Sequence, residues 1–157
     1  MRQAAAFALI FVLVMGGGGV PPATAGVPEE ETVSILIDKS SHVLTVFVNE
    51  DRLYSFQVAT GKGNRTPVGE FKIANKLKNP WYNKKNIPGG HHTNPFGTRW
   101  LGLDVPNTGG YKYGIHGTNN PYSIGRSASS GCIRMYNKNV EWLYEHIPVG
   151  TKVLIQE

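Results

Sequence analysis

Short runs of alternating apolar and polar residues, each closed by turn residues, limit what this chain can fold into. In the clearest run Val33, Ile35 and Ile37 fall on one strand face, and after a turn-like segment 42–48 continues with Leu44, Val46 and Val48 on one face. A period of two places successive side chains on opposite faces of a strand, so this region predicts a β-hairpin. Further strands are predicted at 53–60, 69–74, 101–105, 113–116, 132–135 and 151–155, with a meander as the simplest topology.

Two segments depart from the strand pattern. Between Asn75 and Trp100, prolines and glycines interrupt a stretch with four lysines and two tryptophans. Such a long loop in a compact domain is functional or disordered, and its aromatic residues favour an ordered lid or groove wall. From Lys138 to His146 apolar residues have helical spacing, with Asn137 predicted as the helix cap. The chain is therefore predicted to be mainly β, with one packed helix and a long loop or lid.

The first 25 residues have the order of a secretory signal peptide. Arg2 precedes an apolar run, and a Gly/Pro-rich stretch ends in Ala23-Thr24-Ala25, after which we predict cleavage. An uncleaved anchor is the alternative, but 12 apolar residues fall short of the roughly 20 that span a bilayer. The predicted organisation is a signal peptide at 1–25, a short polar tether at 26–31 and one folded domain at 32–157.

Positive charge is concentrated in the middle of the chain. Without the signal peptide, 16 minus 1 basic residues face 11 acidic ones, a net charge of +4. Nine Lys or Arg residues lie between Arg52 and Arg99 against the single acid Glu70, which predicts an electropositive surface. Anionic cell-wall polymers would fit that surface, and a basic face that only confers solubility is the other interpretation. Nucleic acid is not an expected partner, because the sequence has no basic helix or aromatic stacking platform of a nucleic-acid module.

Cys132 is the only cysteine, so an exported chain would form no internal disulfide. A lone thiol outside the cell is open to oxidation, which favours a reactive role, although a buried cysteine serving as a small apolar residue fits equally well. His116 precedes it by 16 positions and lies in the glycine-flanked segment 114–118. Since an imidazole within hydrogen-bond reach activates a thiol, we predict Cys132 as nucleophile and His116 as its base.

Neighbouring residues are predicted to support this pair. The amides of Gly131 and Cys132 are expected to point at a developing oxyanion, because glycine lets backbone approach a ligand closely. The imidazole needs its other nitrogen held, either by a backbone carbonyl or by Asp104 or Glu141, the acids nearest in sequence. Arg134 is predicted to share a strand face with the thiol, where it would raise the local potential, anchor the loop or bind a carboxylate; a surface arginine is the alternative.

Together these segments resemble the signature of the L,D-transpeptidase catalytic domain family. That signature pairs a His-Gly-Thr element with a later Ser-x-Gly-Cys-Ile/Val-Arg-Met/Leu element, matched here at 116–118 and 129–135. Upstream, 66–71 resembles the family's Thr-Pro-x-Gly-x-Phe strand entry, and 94–100 resembles its loop before the next strand. The likeness runs from about Val33 to Ile155, nearly the whole predicted domain.

The resemblance implies a fold, a reaction and a set of site residues. It implies an L,D-transpeptidase-like β-sandwich whose loop lies over the site, and a cysteine acyltransferase that acts on peptidoglycan stem peptides without a cofactor. Cys132 would attack the carbonyl of the third, diamino-acid residue, release the terminal D-alanine, and pass the acyl group to an amine of a neighbouring stem. The product would be a 3-3 cross-link, or a group anchored or exchanged at the third stem residue. Gly117 would supply the carbonyl that orients His116. The implied oxyanion and substrate-binding residues are Gly131, Arg134, Ser129 and Ser130.

Several alternatives remain open. Ser130 stands where many family members carry histidine, so a second imidazole near the thiol is missing. Water as acceptor would turn the same site into an L,D-carboxypeptidase, and a non-catalytic wall-binding module is the rival of another class. His91 and His92 have no evident third ligand, so no metal site is predicted. We expect a monomer exported to the extracellular space, the cell wall or the periplasm.

Overall fold

A computed structural model describes residues 31–157. Within that range the strands are β1 (Val33–Asp38), β2 (Val43–Val48), β3 (Asp51–Gln57), β4 (Thr60–Gly61), β5 (Gly69–Lys78), β6 (Arg99–Leu103), β7 (Gly114–His116), β8 (Ser127–Ser129), β9 (Ile133–Arg134) and β10 (Lys152–Gln156), and the α-helix is α1 (Asn137–His146). Three short 3₁₀ turns cover Lys62–Asn64, Asn83–Lys85 and Pro121–Ser123. The predicted signal peptide at 1–25 and all of the tether except Glu31 lie outside the described residues.

Among residues 31–157, eight strands form one sheet in the order β3-β2-β1-β10-β5-β6-β7-β9, and β4 pairs with β8 in a separate ribbon. The predicted hairpin of β1 and β2 is present, with Val33 opposite Val48. The meander prediction is wrong, because β10 lies parallel to β1 and separates it from β5. Strands on both sides of β10 help to bury its alternating apolar residues, Val153 and Ile155, which are fully buried.

One apolar core contains residues from both halves of the sheet, which are β3-β2-β1-β10-β5 and β5-β6-β7-β9. Ile35 and Ile155 from one half meet Leu101 and Ile133 from the other in the same buried cluster, and α1 adds Leu143. The long strand β5 belongs to both halves and carries a register shift between residues 73 and 75, which bends the sheet around the core. The prediction of a mainly β domain with one packed helix is confirmed.

Three boundaries differ from the sequence-based expectation. β5 continues to Lys78, so the long loop is confined to 79–98; the last residues of β5 are mostly polar and pair with β6 without an apolar alternation that would have marked a strand. The third strand ends at Gln57, and Thr60–Gly61 pairs instead with β8. Tyr136, not Asn137, occupies the N-cap position of α1, and no side chain bonds the helix end there.

Among residues 31–157, no helix combines the length and the apolar character needed to cross a membrane.

Candidate active site

The predicted nucleophile lies in the turn between β8 and β9. Cys132 is partly exposed and stands one residue before β9. Gly131, just before it, has a φ of +136°, and a Cβ at this position would lie 2.9 Å from the Arg65 carbonyl oxygen. Both the backbone conformation and the close approach exclude a side chain, so the turn that presents the thiol requires glycine.

The predicted base ends the neighbouring strand. β7 runs parallel to β9 with His116 opposite Arg134, which brings His116 beside the thiol-bearing turn. The His116 ring is buried, stacked on Trp100 at 5.4 Å between ring centroids and contacted edge-on by Phe96 at 5.2 Å. Its Nδ1 lies 2.5 Å from the Gly117 carbonyl oxygen. Because a carbonyl only accepts, Nδ1 carries the proton and Nε2 keeps its lone pair; a backbone carbonyl rather than a carboxylate orients the ring.

Burial keeps both groups in their neutral forms. Desolvation lowers the pKa of His116 to about 4; the Arg134 charge acts in the same direction, while hydrogen bonds to the Gly117 and Phe96 backbone oppose it. Desolvation likewise raises the pKa of the Cys132 thiol, against the smaller opposing effects of the Gly114 backbone and the charges of Arg134 and Lys84. At neutral pH the site therefore holds a thiol and a free imidazole instead of an ion pair.

The thiol does not face the imidazole directly. Cys132 Sγ donates to the Lys112 carbonyl oxygen at 3.4 Å, and within residues 31–157 no hydrogen bond joins it to the His116 ring. A rotation about the Cys132 side-chain bond is the simplest way to bring Sγ to Nε2, and catalytic hydrogen bonds commonly tighten only when substrate is bound.

Two of the predicted oxyanion and substrate-binding residues, Gly131 and Ser129, form hydrogen bonds within the protein. The Gly131 N–H donates to Ser129 Oγ at 3.0 Å, and Ser129 Oγ donates to the Cys132 carbonyl oxygen at 2.5 Å. The expectation that the Gly131 amide points freely at an oxyanion is therefore wrong in this arrangement, since the short turn satisfies that donor internally. Ser129 is buried and shapes the turn, whereas Ser130 is exposed at the edge of the cleft.

Cys132 and His116 line a cleft of about 420 Å³. Arg134 lines it too, as predicted from its place on the strand, together with Lys84 and Lys112, and no acidic residue does so among the described residues. An adjoining groove of about 350 Å³ shares part of this wall and is more apolar. The residues common to both are Tyr82, Lys84, Phe96, Trp100 and Tyr111.

The long loop at 79–98 provides one wall of these cavities. Asn94 holds it together: its amide donates to the carbonyl oxygens of Pro80 and Pro88, and its Oδ1 accepts the Phe96 N–H. The two tryptophans in and next to this loop differ in exposure. Trp100 is buried against His116, whereas Trp81 is half exposed in the second groove. The aromatic residues thus divide between core and groove.

The sequence analysis did not identify two residues whose side chains hydrogen-bond the backbone beside Cys132 and His116. Thr66 is buried and bonds the Gly131 carbonyl oxygen, although it lies 65 positions away. Asn137, predicted as a helix cap, instead accepts the Thr118 N–H through Oδ1 at 3.0 Å. Thr66 begins the Thr-Pro-x-Gly-x-Phe element noted above, which was a signal without an assigned role.

Comparison with known proteins identifies the family of this chain. The family model described as YkuD, L,D-transpeptidase catalytic domain, matches residues 32–155. A putative L,D-transpeptidase, YqjB of Bacillus subtilis, is 47% identical over 124 residues, which cover 78% of this chain and 70% of that protein.

Solved structures agree with the sequence match. An L,D-transpeptidase from Mycobacterium smegmatis superposes with a TM-score of 0.61 at 26% identity, over 81% of this chain. The L,D-transpeptidase LdtMt1 in complex with imipenem superposes with a TM-score of 0.62 at 22% identity, over 80% of this chain, and so supports the fold. The chain spans 59% of the length of each of these two structures.

Proposed function

The chain belongs to the L,D-transpeptidase catalytic domain family, and from that membership we propose that it is a cysteine acyltransferase that remodels peptidoglycan cross-links through a Cys132 thioester. The observation that carries the proposal is the cleft lined by Cys132, one residue before β9, and His116, at the end of the neighbouring strand β7, with the Gly117 carbonyl hydrogen-bonded to the imidazole. The protein would work outside the cytoplasmic membrane, where its polymer substrate is found.

In the acylation step Cys132 Sγ attacks the carbonyl carbon of the third stem residue as its proton passes to His116 Nε2. The Cys132 N–H, for which no protein acceptor is found among residues 31–157, would donate to the oxyanion that forms. The carbon–nitrogen bond to D-alanine then breaks, and the proton held by His116 moves to the leaving amine. The products are a thioester on Cys132 and free D-alanine, with His116 neutral again.

In the second step a side-chain amine of another stem attacks the thioester and restores the thiol, which gives a 3-3 cross-link. The second groove would receive the acceptor stem, because it shares five lining residues with the cleft and continues past Trp81. Attack by water instead would give L,D-carboxypeptidase activity from the same thioester. Lys84, Lys112 and Arg134 make the cleft cationic, which suits the carboxylates of stem peptides.

Intact-protein mass spectrometry tests the proposal. The purified protein is incubated with a carbapenem such as imipenem and, separately, with a stem tetrapeptide. We expect a covalent adduct of one acyl group, mapped to Cys132, and its absence in a folded Cys132→Ala variant. His116→Ala should slow acylation by about 10²-fold or more, the usual contribution of a general base.

The reaction products separate the remaining alternatives. Cross-linked dimers would establish transpeptidation, whereas tripeptide alone would identify the carboxypeptidase. A folded, reduced protein that forms no adduct, but that binds purified cell wall, would overturn the proposal in favour of a non-catalytic wall-binding module.

A further inference from the structure

Two backbone groups serve the proposed reaction, the Gly117 carbonyl that orients the base and the Cys132 N–H beside the attacked carbonyl. Each belongs to a planar peptide group, and none of the peptide bonds in the described residues is cis. In a trans peptide group the C=O and the N–H point in opposite directions, so holding one end sets the direction of the other. In both peptide groups a side chain from a distant part of the chain holds that other end.

Asn137 holds the peptide group behind His116. The Gly117 carbonyl and the Thr118 N–H are the two ends of one peptide group, and Asn137 Oδ1 accepts the Thr118 N–H at 3.0 Å. The Asn137 oxygen is closely packed against two glycines, because a Cβ on Gly117 or Gly97 would lie 2.1 Å from it. With its N–H bound in this way, the peptide group points its carbonyl at His116 Nδ1.

Thr66 holds the peptide group before the nucleophile. Its hydroxyl donates to the Gly131 carbonyl oxygen at 2.9 Å and accepts the Gly61 N–H at 2.7 Å, so both of its hydrogen-bonding roles are used in a fully enclosed position. The opposite end of the Gly131–Cys132 peptide group is the Cys132 N–H, for which no protein acceptor is found among residues 31–157. The Thr66 hydroxyl therefore turns that N–H away from the protein interior.

We propose that Thr66 and Asn137 are positioning residues of the transpeptidation site: Thr66 directs the Cys132 N–H toward the oxyanion, and Asn137 directs the Gly117 carbonyl toward His116. Neither side chain lines the cleft, so both act through the backbone. The proposal rests on the function proposed above and assigns the Thr-Pro element of the sequence a chemical role.

The Thr66 part is tested by acylation kinetics with imipenem. Thr66→Val replaces the hydroxyl with a methyl group and keeps the shape of the side chain. If valine does not fit, Thr66→Ala removes the hydroxyl together with the γ-methyl group. We expect the limiting first-order rate of acylation to fall by about 10- to 100-fold, part of the 10²- to 10³-fold cost of losing an oxyanion donor. The imipenem concentration at half-maximal rate should change little, and Thr66→Ser should restore the rate.

Thr45→Val is the matched control for Thr66→Val. Thr45 is also a buried threonine whose hydroxyl is hydrogen-bonded, to Ser55 at 3.2 Å, but it lies on β2 away from the cleft. The Thr45→Val variant should be less stable than the wild type but should acylate at the wild-type rate. Folded Thr66→Val and Thr66→Ala variants that acylate at the wild-type limiting rate would overturn the Thr66 assignment, as would equal slowing in Thr66→Ser.

The Asn137 part is tested by NMR of the imidazole, which needs no turnover. Nitrogen chemical shifts should show the wild-type His116 with its proton on Nδ1, and Asn137→Leu should mix the two tautomers and slow acylation by about 10-fold or more through the wrongly protonated ring. Asn137→Asp restores an oxygen acceptor and should recover the tautomer and most of the rate. Asn139→Leu, in the same turn of α1, is the control.

The outcomes separate the proposed function from the positioning role of Asn137. An unreactive wild-type protein would refute the proposed function, whereas the tautomer measurement would still test Asn137. A reactive wild type together with an Asn137→Leu variant that retains the Nδ1–H tautomer would overturn the inference and leave the function standing.

Discussion

The protonation state of Cys132 leads to a prediction about its reactivity across the pH range. The sequence contains a single cysteine, so alkylation by iodoacetamide reports this thiol alone. Since burial raises its pKa above the ordinary value of 9.0, at most about one molecule in a hundred carries a thiolate at pH 7. We expect the alkylation rate to rise tenfold per pH unit through neutrality and to continue rising above pH 9.

The alternative is a thiolate–imidazolium pair, and its cost can be worked out. With His116 at a pKa of about 4 and the thiol at 9.0 or above, moving the proton from sulfur to imidazole costs at least about 7 kcal/mol, since five pKa units at 1.36 kcal/mol each separate the two groups. Coulomb attraction at about 4 Å returns only about 4 kcal/mol at an effective dielectric constant of 20. The neutral pair is therefore favoured, and an ion pair would make the thiol about 100-fold more reactive at pH 7.

The assay is the second-order rate of carbamidomethylation, followed by intact mass from pH 5 to pH 10, with Cys132→Ala as the blank. In a neutral pair His116→Ala leaves the pH dependence of alkylation nearly unchanged, even though it slows acylation by a substrate. A rate that is flat between pH 5 and pH 8 in the wild type, and that loses this plateau in His116→Ala, would refute the neutral pair.

Three further predictions concern stability and packing. The unfolded state protonates His116 near pH 6.5 and the folded state only near 4, so stability present at pH 8 is lost as pH falls; the free energy of unfolding should drop by about 2 kcal/mol by pH 5. Denaturant titrations of His116→Gln should lack this drop, and an unchanged drop would contradict the assignment. Gly97→Ala should lower both the melting temperature and the acylation rate, because φ is +64° and the new Cβ would lie 2.1 Å from Asn137 Oδ1; Gly63→Ala, with a φ of +55° but no neighbour within 4 Å, should affect stability alone. Trp100→Phe should cost at least about 1 kcal/mol in denaturant unfolding, because it removes the Nε1–H bond to the Gly110 carbonyl and part of a buried ring, and a wild-type stability would contradict both contributions.

Most of the fold could be predicted wherever one strand face is buried and the other is wet. β1 follows that rule, since Ile35 and Ile37 are buried between partly exposed neighbours, and the helix follows the 3.6-residue spacing of Val140 and Leu143. The end of β5 could not be predicted in this way, because its polar residues gain their place through backbone pairing with β6. The central position of β10 was equally hidden, since a period-two pattern specifies faces and not neighbours.

The site, like the fold, could be predicted only in part. Cys132 and His116 were predicted from glycine-flanked motifs and Gly117 from the family resemblance, and the cleft brings Cys132 and His116 together. The free Gly131 amide was predicted wrongly, because a hydroxyl only two residues away, on Ser129, competes for that donor within the turn.

The sequence by itself determined the chemistry that is available: one thiol, one imidazole in a glycine-flanked segment, and a cationic stretch from Arg52 to Arg99. Only the tertiary structure decided how that chemistry is held, because Thr66 and Asn137 reach the site across 65 and 19 positions of the chain. Hydrogen bonds of this kind depend on distances of about 3 Å between atoms. Such distances follow from strand order and packing, and local patterns of residue type contain neither.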